Sequence, residues 1–156
     1  MTPEPDAAQQ VTPTTVVVGC ADTASGRAAL HFAAEEARLR GAVLRLVLAY
    51  EPGVDPDLAD FDEDPSGLRE HAERTAQASA ASIAEQLGDG APTVEVVVEP
   101  GPATTVLLTA ARDAALLVIG ARSEGLLARM LQGSTMAEVL HRAAGPVVVL
   151  PAPPRP

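Results

Sequence analysis

The chain has 156 residues, a length that fits one domain with one hydrophobic core. Hydrophobic residues make up 47% of the chain and aromatic residues only 2%, so the core is expected to consist of Ala, Val and Leu. The net charge of −10 opposes contact with phosphate backbones, which argues against a general nucleic-acid-binding role.

The sequence contains one cysteine, Cys20, which excludes a disulfide within the chain. This favours a reducing compartment and predicts a cytoplasmic protein. We interpret Cys20 as a small buried hydrophobe at the end of a strand, with a redox sensor as the alternative. No leader of basic and then apolar residues opens the sequence, and no apolar run approaches the roughly 18 residues of a spanning helix. No membrane association is therefore expected.

Two proline-rich segments lie at the ends of the sequence, at residues 1–13 and 151–156. Proline removes backbone donors and interrupts both helices and strands. We interpret both segments as flexible tails, so the folded domain is predicted to span residues 14–150.

Five apolar, β-branched runs predict strands. Runs that are apolar at successive positions are typical of a parallel sheet that is covered on both faces. The predicted strands are Thr14–Gly19, Val43–Tyr50, Thr93–Glu99, Leu116–Gly120 and Pro146–Leu150.

Segments of helical composition alternate with these strands. Gly41 follows the first segment as a C-cap signal, and Pro102 suits the first position of the third. The predicted helices are Ser25–Arg40, Ser66–Leu87, Pro102–Ala114 and Ser134–Ala144. The alternation predicts a doubly wound α/β domain, a five-stranded parallel sheet in the order 3-2-1-4-5 with helices on both faces.

The most specific pattern begins where the fourth predicted strand ends. Gly120 is followed after two residues by Ser123, and after nine more by Gly133 and Ser134, which open the last predicted helix. Glycine lets a backbone approach a ligand closely, and the free N–H groups of a helix start favour an anion. Ser134 or Thr135 either caps the helix or binds a phosphate oxygen.

This spacing resembles the universal stress protein family, whose nucleotide-binding members carry two glycines separated by two residues, then nine residues, then glycine and Ser or Thr. The segments TVVVGCADTASGRAAL, LRLVLAYEP and GPATTVLLTAARDAALLVIG are similar to other parts of that family, so the resemblance spans about residues 14–150. It implies a stress-responsive regulatory protein, not an enzyme, that binds an adenine nucleotide such as ATP with Mg²⁺. The contacts implied are Gly120, Arg122, Ser123, Gly133, Ser134, Thr135, Asp22, Thr23 and the backbone of Ala49, with no catalytic residue and no metal ligand.

Two positions depart from the family pattern. Ala21 stands where members typically carry an Asp that faces the nucleotide, and Asp22 comes one residue later. Ser123 stands where the second glycine belongs, and its Cβ opposes a positive φ or a close approach to phosphate. These departures predict weak binding, and they leave a nucleotide-free interaction module as the alternative.

An acidic segment, residues 51–64, follows the second predicted strand and contains seven carboxylates. It is interpreted as a solvated loop, with gating or metal holding as the alternative, since it would repel a bare triphosphate unless Mg²⁺ intervenes. Arg122 and Arg129 fall within residues 120–135, the segment expected to bind phosphate, which we call the phosphate segment. They would offset part of this repulsion.

Enzyme motifs give little support to a catalytic role. The sequence carries no G-x-S-x-G elbow and no Walker A lysine, although a slow ATPase stays open as a third reading. The histidines His31, His71 and His141 fall on separate predicted helices, which argues against a shared metal site.

The final predicted strand, Pro146–Leu150, lies at one edge of the predicted sheet and carries no lysine or inward charge. An apolar edge strand exposes unpaired N–H and C=O groups and invites pairing with another chain. The sequence therefore predicts a homodimer through this strand, which members of the resembled family also form. The alternative is that the proline-rich tail covers the edge.

Overall fold

The computed structural model describes residues 14–21, 23–51, 65–121 and 135–151. Strands and helices alternate along these ranges, with one short 3₁₀ turn at Gly88–Gly90. In chain order they are β1 (Thr15–Gly19), α1 (Ala24–Arg40), β2 (Val43–Tyr50), α2 (Pro65–Leu87), β3 (Val94–Pro100), α3 (Ala103–Ala110), β4 (Leu116–Gly120), α4 (Thr135–Arg142) and β5 (Val147–Leu150).

The five strands form one parallel sheet in the order β3-β2-β1-β4-β5, which confirms the predicted topology. Strand β1 lies in the centre, where Gly19 is in register with Val47 of β2 and Val18 with Val118 of β4. The chain order reverses between β1 and β4, and this places the topological switch point beside the central strand.

Alternate side chains of each strand enter two separate cores. Val16 and Val18 pack with α1 and α2 on one face, whereas Val17 packs with α3 and α4 on the other. All three valines are fully buried, because a central parallel strand has no solvated face. This explains the continuous apolar run in the sequence.

Helix α1 lies close to the sheet because its inner face is built from small residues. Ala29, Ala33 and Ala37 are fully buried at four-residue spacing. The Thr23 hydroxyl caps the helix start, and Gly41 ends the helix in the left-handed conformation, with φ 61°. The predicted C-cap is confirmed.

Helix α3 is shorter than predicted and ends at Ala110 rather than Ala114. The Arg45 Nη1 donates to the Ala110 carbonyl at 2.8 Å, and the following residues form tighter turns that lead into β4. Pro102 is the N-cap residue rather than the first helical residue. The structure also extends the third strand to Pro100 and ends the last helix at Arg142.

Within the described ranges, none of the helices combines the length and the apolar character that crossing a bilayer requires. The predicted tails, residues 1–13 and 151–156, lie outside the described ranges apart from Pro151.

Candidate functional site

The crevice beside the central strand lies between the carboxyl ends of β1 and β4. Helix α1 follows β1 onto one face of the sheet, whereas the chain after β4 leads to α4 on the opposite face. Strand β1 ends at Gly19, in register with Val47, while β2 continues to Tyr50. The longer β2 therefore forms a side wall above the end of β1, and ligands of open α/β sheets bind in such a crevice.

Gly120, predicted to admit a ligand, lies at the end of β4 against the first turn of α1. A Cβ atom on Gly120 would lie 2.6 Å from the carbonyl carbon and oxygen of Ser25 and 2.8 Å from the nitrogen of Gly26. Such separations are shorter than van der Waals contact allows. Gly120 is therefore required by backbone packing at the crevice, whatever the ligand.

Gly26, in the first turn of α1, is also held by close backbone packing. A Cβ on Gly26 would lie 2.2 Å from the carbonyl oxygen of Ala21. Ala21 is exposed, and its backbone folds over the α1 start. The loop after β1, the first turn of α1 and the end of β4 thus pack backbone against backbone. We call Ala21, Gly26 and Gly120 the glycine junction.

Thr23, predicted to approach the ligand, is exposed at the start of α1. Its hydroxyl accepts a hydrogen bond from the Gly26 N–H at 3.0 Å and lies 3.3 Å from the Ser25 Oγ. Ser25 is 2% exposed. The Thr23 hydroxyl therefore stabilises the start of α1, which forms one wall of the crevice. Thr23 itself remains exposed to solvent there.

Ala49, predicted to meet a ligand through its backbone, lies on the β2 wall. Its side chain is half-buried against the core formed with α3 and α4, and it is in register with Glu99 of β3. The next residue, Tyr50, is buried, and its carbonyl accepts the Gly101 N–H at 3.0 Å. This bond ties the start of α3 to the β2 wall.

On the opposite face of the wall, Tyr50 packs with Leu68 and Ala72 of α2. The hydrogen bond that the Arg69 Nε donates to the Glu73 carboxylate raises the pKa of Arg69, and interaction with Tyr50 raises it further. Cys20 is half-buried against the first core with its Sγ 3.4 Å from the Ser79 Oγ, so its burial is less complete than predicted.

The remaining predicted contacts lie outside the described residues. These are Asp22, Arg122, Ser123, Gly133 and Ser134, together with Arg129 and positions 52–64 of the acidic segment. Thr135 is described as the first residue of α4. In the described ranges, no group of three or more His, Cys, Asp or Glu side chains is arranged to hold a metal ion.

Three residues of the crevice were not predicted from the sequence. Ser25 and Gly26 belong to the α1 wall, and Thr104, in the first turn of α3, is 6% exposed. A glycine inside a helical pattern signals close packing, and this could have identified Gly26. The burial of the two hydroxyl residues depends on tertiary contacts and has no signal in the local sequence.

A family model described as "Universal stress protein family" matches residues 13–151. The chain belongs to the universal stress protein family. A universal stress protein of Mycolicibacterium smegmatis is 33% identical over 148 residues, 91% of this chain and 49% of that protein. A second, from Mycobacterium tuberculosis, is 33% identical over 136 residues, 87% of this chain and 47% of that protein. The chain thus spans about half the length of these relatives.

Solved universal stress protein structures agree with this assignment. A universal stress protein in complex with cAMP superposes with a TM-score of 0.60 at 26% identity, over 90% of this chain and 98% of that one. A universal stress protein of Archaeoglobus fulgidus superposes with a TM-score of 0.65 at 25% identity, over 88% and 93% of the two chains. The fold of the chain is therefore that of the family.

Proposed function

We propose that this universal stress protein is a cytoplasmic regulatory protein of the stress response that binds an adenine nucleotide weakly in the crevice beside β1. The observation that carries the proposal is the cAMP complex of a relative that superposes over 90% of the chain. The crevice between the ends of β1 and β4 is where open α/β sheets bind ligands. The protein is proposed to respond to nucleotide binding rather than to catalyse a reaction.

The proposed contacts follow the predicted ones. Helix α4 begins at Thr135 on the chain segment that leaves the crevice at Gly120, and free N–H groups at a helix start favour phosphate. Mg²⁺ would neutralise part of the phosphate charge. The proposed set is Gly120, Arg122, Ser123, Gly133, Ser134 and Thr135 for phosphate, Asp22 and Thr23 from the β1 loop, and the Ala49 backbone for adenine.

Native mass spectrometry of the purified protein, followed by calorimetric titration with ATP, AMP and cAMP with and without Mg²⁺, tests the proposal. We expect dissociation constants in the micromolar range or weaker, and a rise in melting temperature at saturating nucleotide. Protein that binds none of the three contradicts the proposal. Phosphate release over hours would instead indicate a slow ATPase.

One observation favours the alternative of a nucleotide-free interaction module. Ala21, two residues after the end of β1, is exposed, and its methyl side chain offers no acceptor for a ligand's donor groups at that position. In that case the titrations show no binding, and the protein acts through its oligomeric form alone.

Both readings include a homodimer through β5. The N–H groups of Leu117 and Ala121 donate to the carbonyls of Pro146 and Leu150, so backbone groups of alternate β5 residues point away from β4. The outward residues are Val147 and Val149. In an antiparallel pair, Val147 of each copy would face Val149 of the other, with Val148 on the two-fold axis. The mycobacterial relatives, about twice as long, have room for a second such domain in one chain.

A further inference from the structure

The hydroxyl of Thr104 has no role in the fold as described. Thr104 is 6% exposed, and its hydroxyl forms no hydrogen bond within the described part of the chain. In those ranges, every side-chain oxygen or nitrogen that is inaccessible to solvent has a hydrogen-bond partner. Because the Thr104 hydroxyl has no such partner, its oxygen must be accessible to solvent. A nearly buried residue with an unpartnered, accessible hydroxyl is suited to meet a ligand atom.

Thr104 lies beside the crevice. Leu107, one turn later in α3, occupies the space above Gly19, whose added Cβ would lie 3.3 Å from the Leu107 Cδ2. Helix α3 runs down from the carboxyl edge of the sheet, so Thr104 is one turn, about 5 Å, nearer that edge than Leu107. This places Thr104 past the end of β1, at the open crevice.

The same turn of α3 is fixed to the β2 wall. The Gly101 N–H donates to the Tyr50 carbonyl at 3.0 Å, and Gly101 takes a φ of 121°, which a side chain would oppose. Ala49, the residue before Tyr50, faces the same core as α3. Pro102 gives the helix no side-chain cap, so the first N–H groups of α3 also stay available as donors.

We propose that Thr104 is a base-contacting residue, whose hydroxyl hydrogen-bonds the edge of a purine base lying against Ala49. A hydroxyl both donates and accepts, so it suits the adjacent ring nitrogen and amino group of adenine. The inference rests on the proposed function, because it assigns a residue to the base end of that site. Because the assignment places Thr104 at the base end of the site, its removal is expected to leave phosphate binding unchanged.

The test compares Thr104→Val with Thr105→Val, which removes an exposed hydroxyl from the same turn. Titrations use adenosine, AMP, ATP and tripolyphosphate. We expect Thr104→Val to weaken the three adenine ligands about 3- to 10-fold and to leave tripolyphosphate unchanged. Thr105→Val and Thr104→Ser, which keeps the hydroxyl, are expected to bind like wild type, and equal melting temperatures verify the fold.

The outcomes separate the two proposals. Wild-type protein that binds no adenine ligand overturns both. Wild-type binding with unchanged affinity in Thr104→Val overturns the role of Thr104 alone, as does an equal loss for tripolyphosphate. If Thr104→Val does not fold, Thr104→Ala replaces it, with the same expected loss and Thr104→Ser as the comparison.

Discussion

At the scale of single residues, the glycine junction ties the crevice to the fold. Gly120 and Gly26 leave no room for a methyl group, because backbone atoms occupy that space. The sequence pattern assigned Gly120 to a ligand, whereas the structure gives it a packing role that acts even when the crevice is empty. A variant that loses binding at this position therefore has to be checked for stability first.

We expect Gly120→Ala to destabilise the protein by about 1–3 kcal/mol, because the new Cβ overlaps the Ser25–Gly26 peptide. Gly145→Ala is the matched control, since its Cβ would lie 3.6 Å from the Ala114 carbonyl oxygen, an ordinary contact. Urea unfolding measures both. Equal midpoints for the two variants would contradict the packing role of Gly120.

For the Gly26→Ala variant, helix propensity and backbone packing predict opposite changes in stability. Replacing a helical glycine by alanine normally stabilises a helix by about 1 kcal/mol. Here the added Cβ would lie 2.2 Å from the Ala21 carbonyl oxygen, so we expect net destabilisation. A variant that unfolds at higher urea concentration than wild type would show that the β1 loop moves away freely.

The departures from the family pattern predict a gain of affinity on reversion. The double change Ala21→Asp with Ser123→Gly supplies a side-chain acceptor at the end of β1 and removes a Cβ from the phosphate segment. We expect ATP to bind roughly tenfold more tightly, the value of about one charge-assisted hydrogen bond. Ala21→Val with Ser123→Gly lacks the acceptor and serves as control. Calorimetry showing no difference between the two double variants would exclude a role for position 21.

At the scale of elements, Arg45 sets the end of α3. It crosses from β2 to donate to the Ala110 carbonyl, and its Nε lies 3.2 Å from the Glu95 carboxylate. A cation at a helix C-terminus satisfies a free carbonyl and opposes the negative end of the helix dipole. The cap joins the second strand to a helix distant in sequence.

Removing this cap is expected to cost more than removing the ion pair. Arg45→Met keeps most of the apolar stem and loses the bond to Ala110, so we expect a loss of about 1–2 kcal/mol. Glu95→Gln should change stability by less than about 0.5 kcal/mol, because the pair is 27% and 49% exposed and is screened by water. Urea unfolding in low and high salt distinguishes these contributions, and equal losses in the two variants would refute the assignment.

The same elements explain what could be predicted from the sequence. Strand β1 and helix α1 were predictable because their patterns are local, a buried apolar run and small residues closed by Gly41. The end of α3 was not, because it depends on Arg45, 65 residues away. At the site, the glycine and helix-start signals predicted a ligand at the ends of the strands, but the burial of Ser25 and Thr104 depends on neighbours that no local pattern specifies.

At the scale of the whole molecule, the two edges of the sheet differ. The Leu44 N–H donates to the Thr93 carbonyl, so the outward residues of β3 are Val94, Val96 and Val98. Their strand also carries the exposed residues Glu95 and Glu99, which discourage edge pairing. Strand β5 has only half-buried valines and a leucine, and no charge. A second copy should therefore pair with β5 rather than with β3.

Proline substitutions test this choice without disturbing the sheet itself. Val149→Pro removes an N–H that points away from β4, so the β4–β5 ladder keeps its hydrogen bonds while the antiparallel pair across the axis loses two. Val96→Pro removes an outward N–H from β3 in the same way and is the matched control.

We expect light scattering at micromolar concentration to give twice the chain mass of 16.0 kDa for wild type and Val96→Pro, and the single mass for Val149→Pro. Val148→Lys, which sets two like charges beside the axis, should also be monomeric. Monomeric wild-type protein, or a dimer that survives both β5 changes, would rule out pairing through this edge.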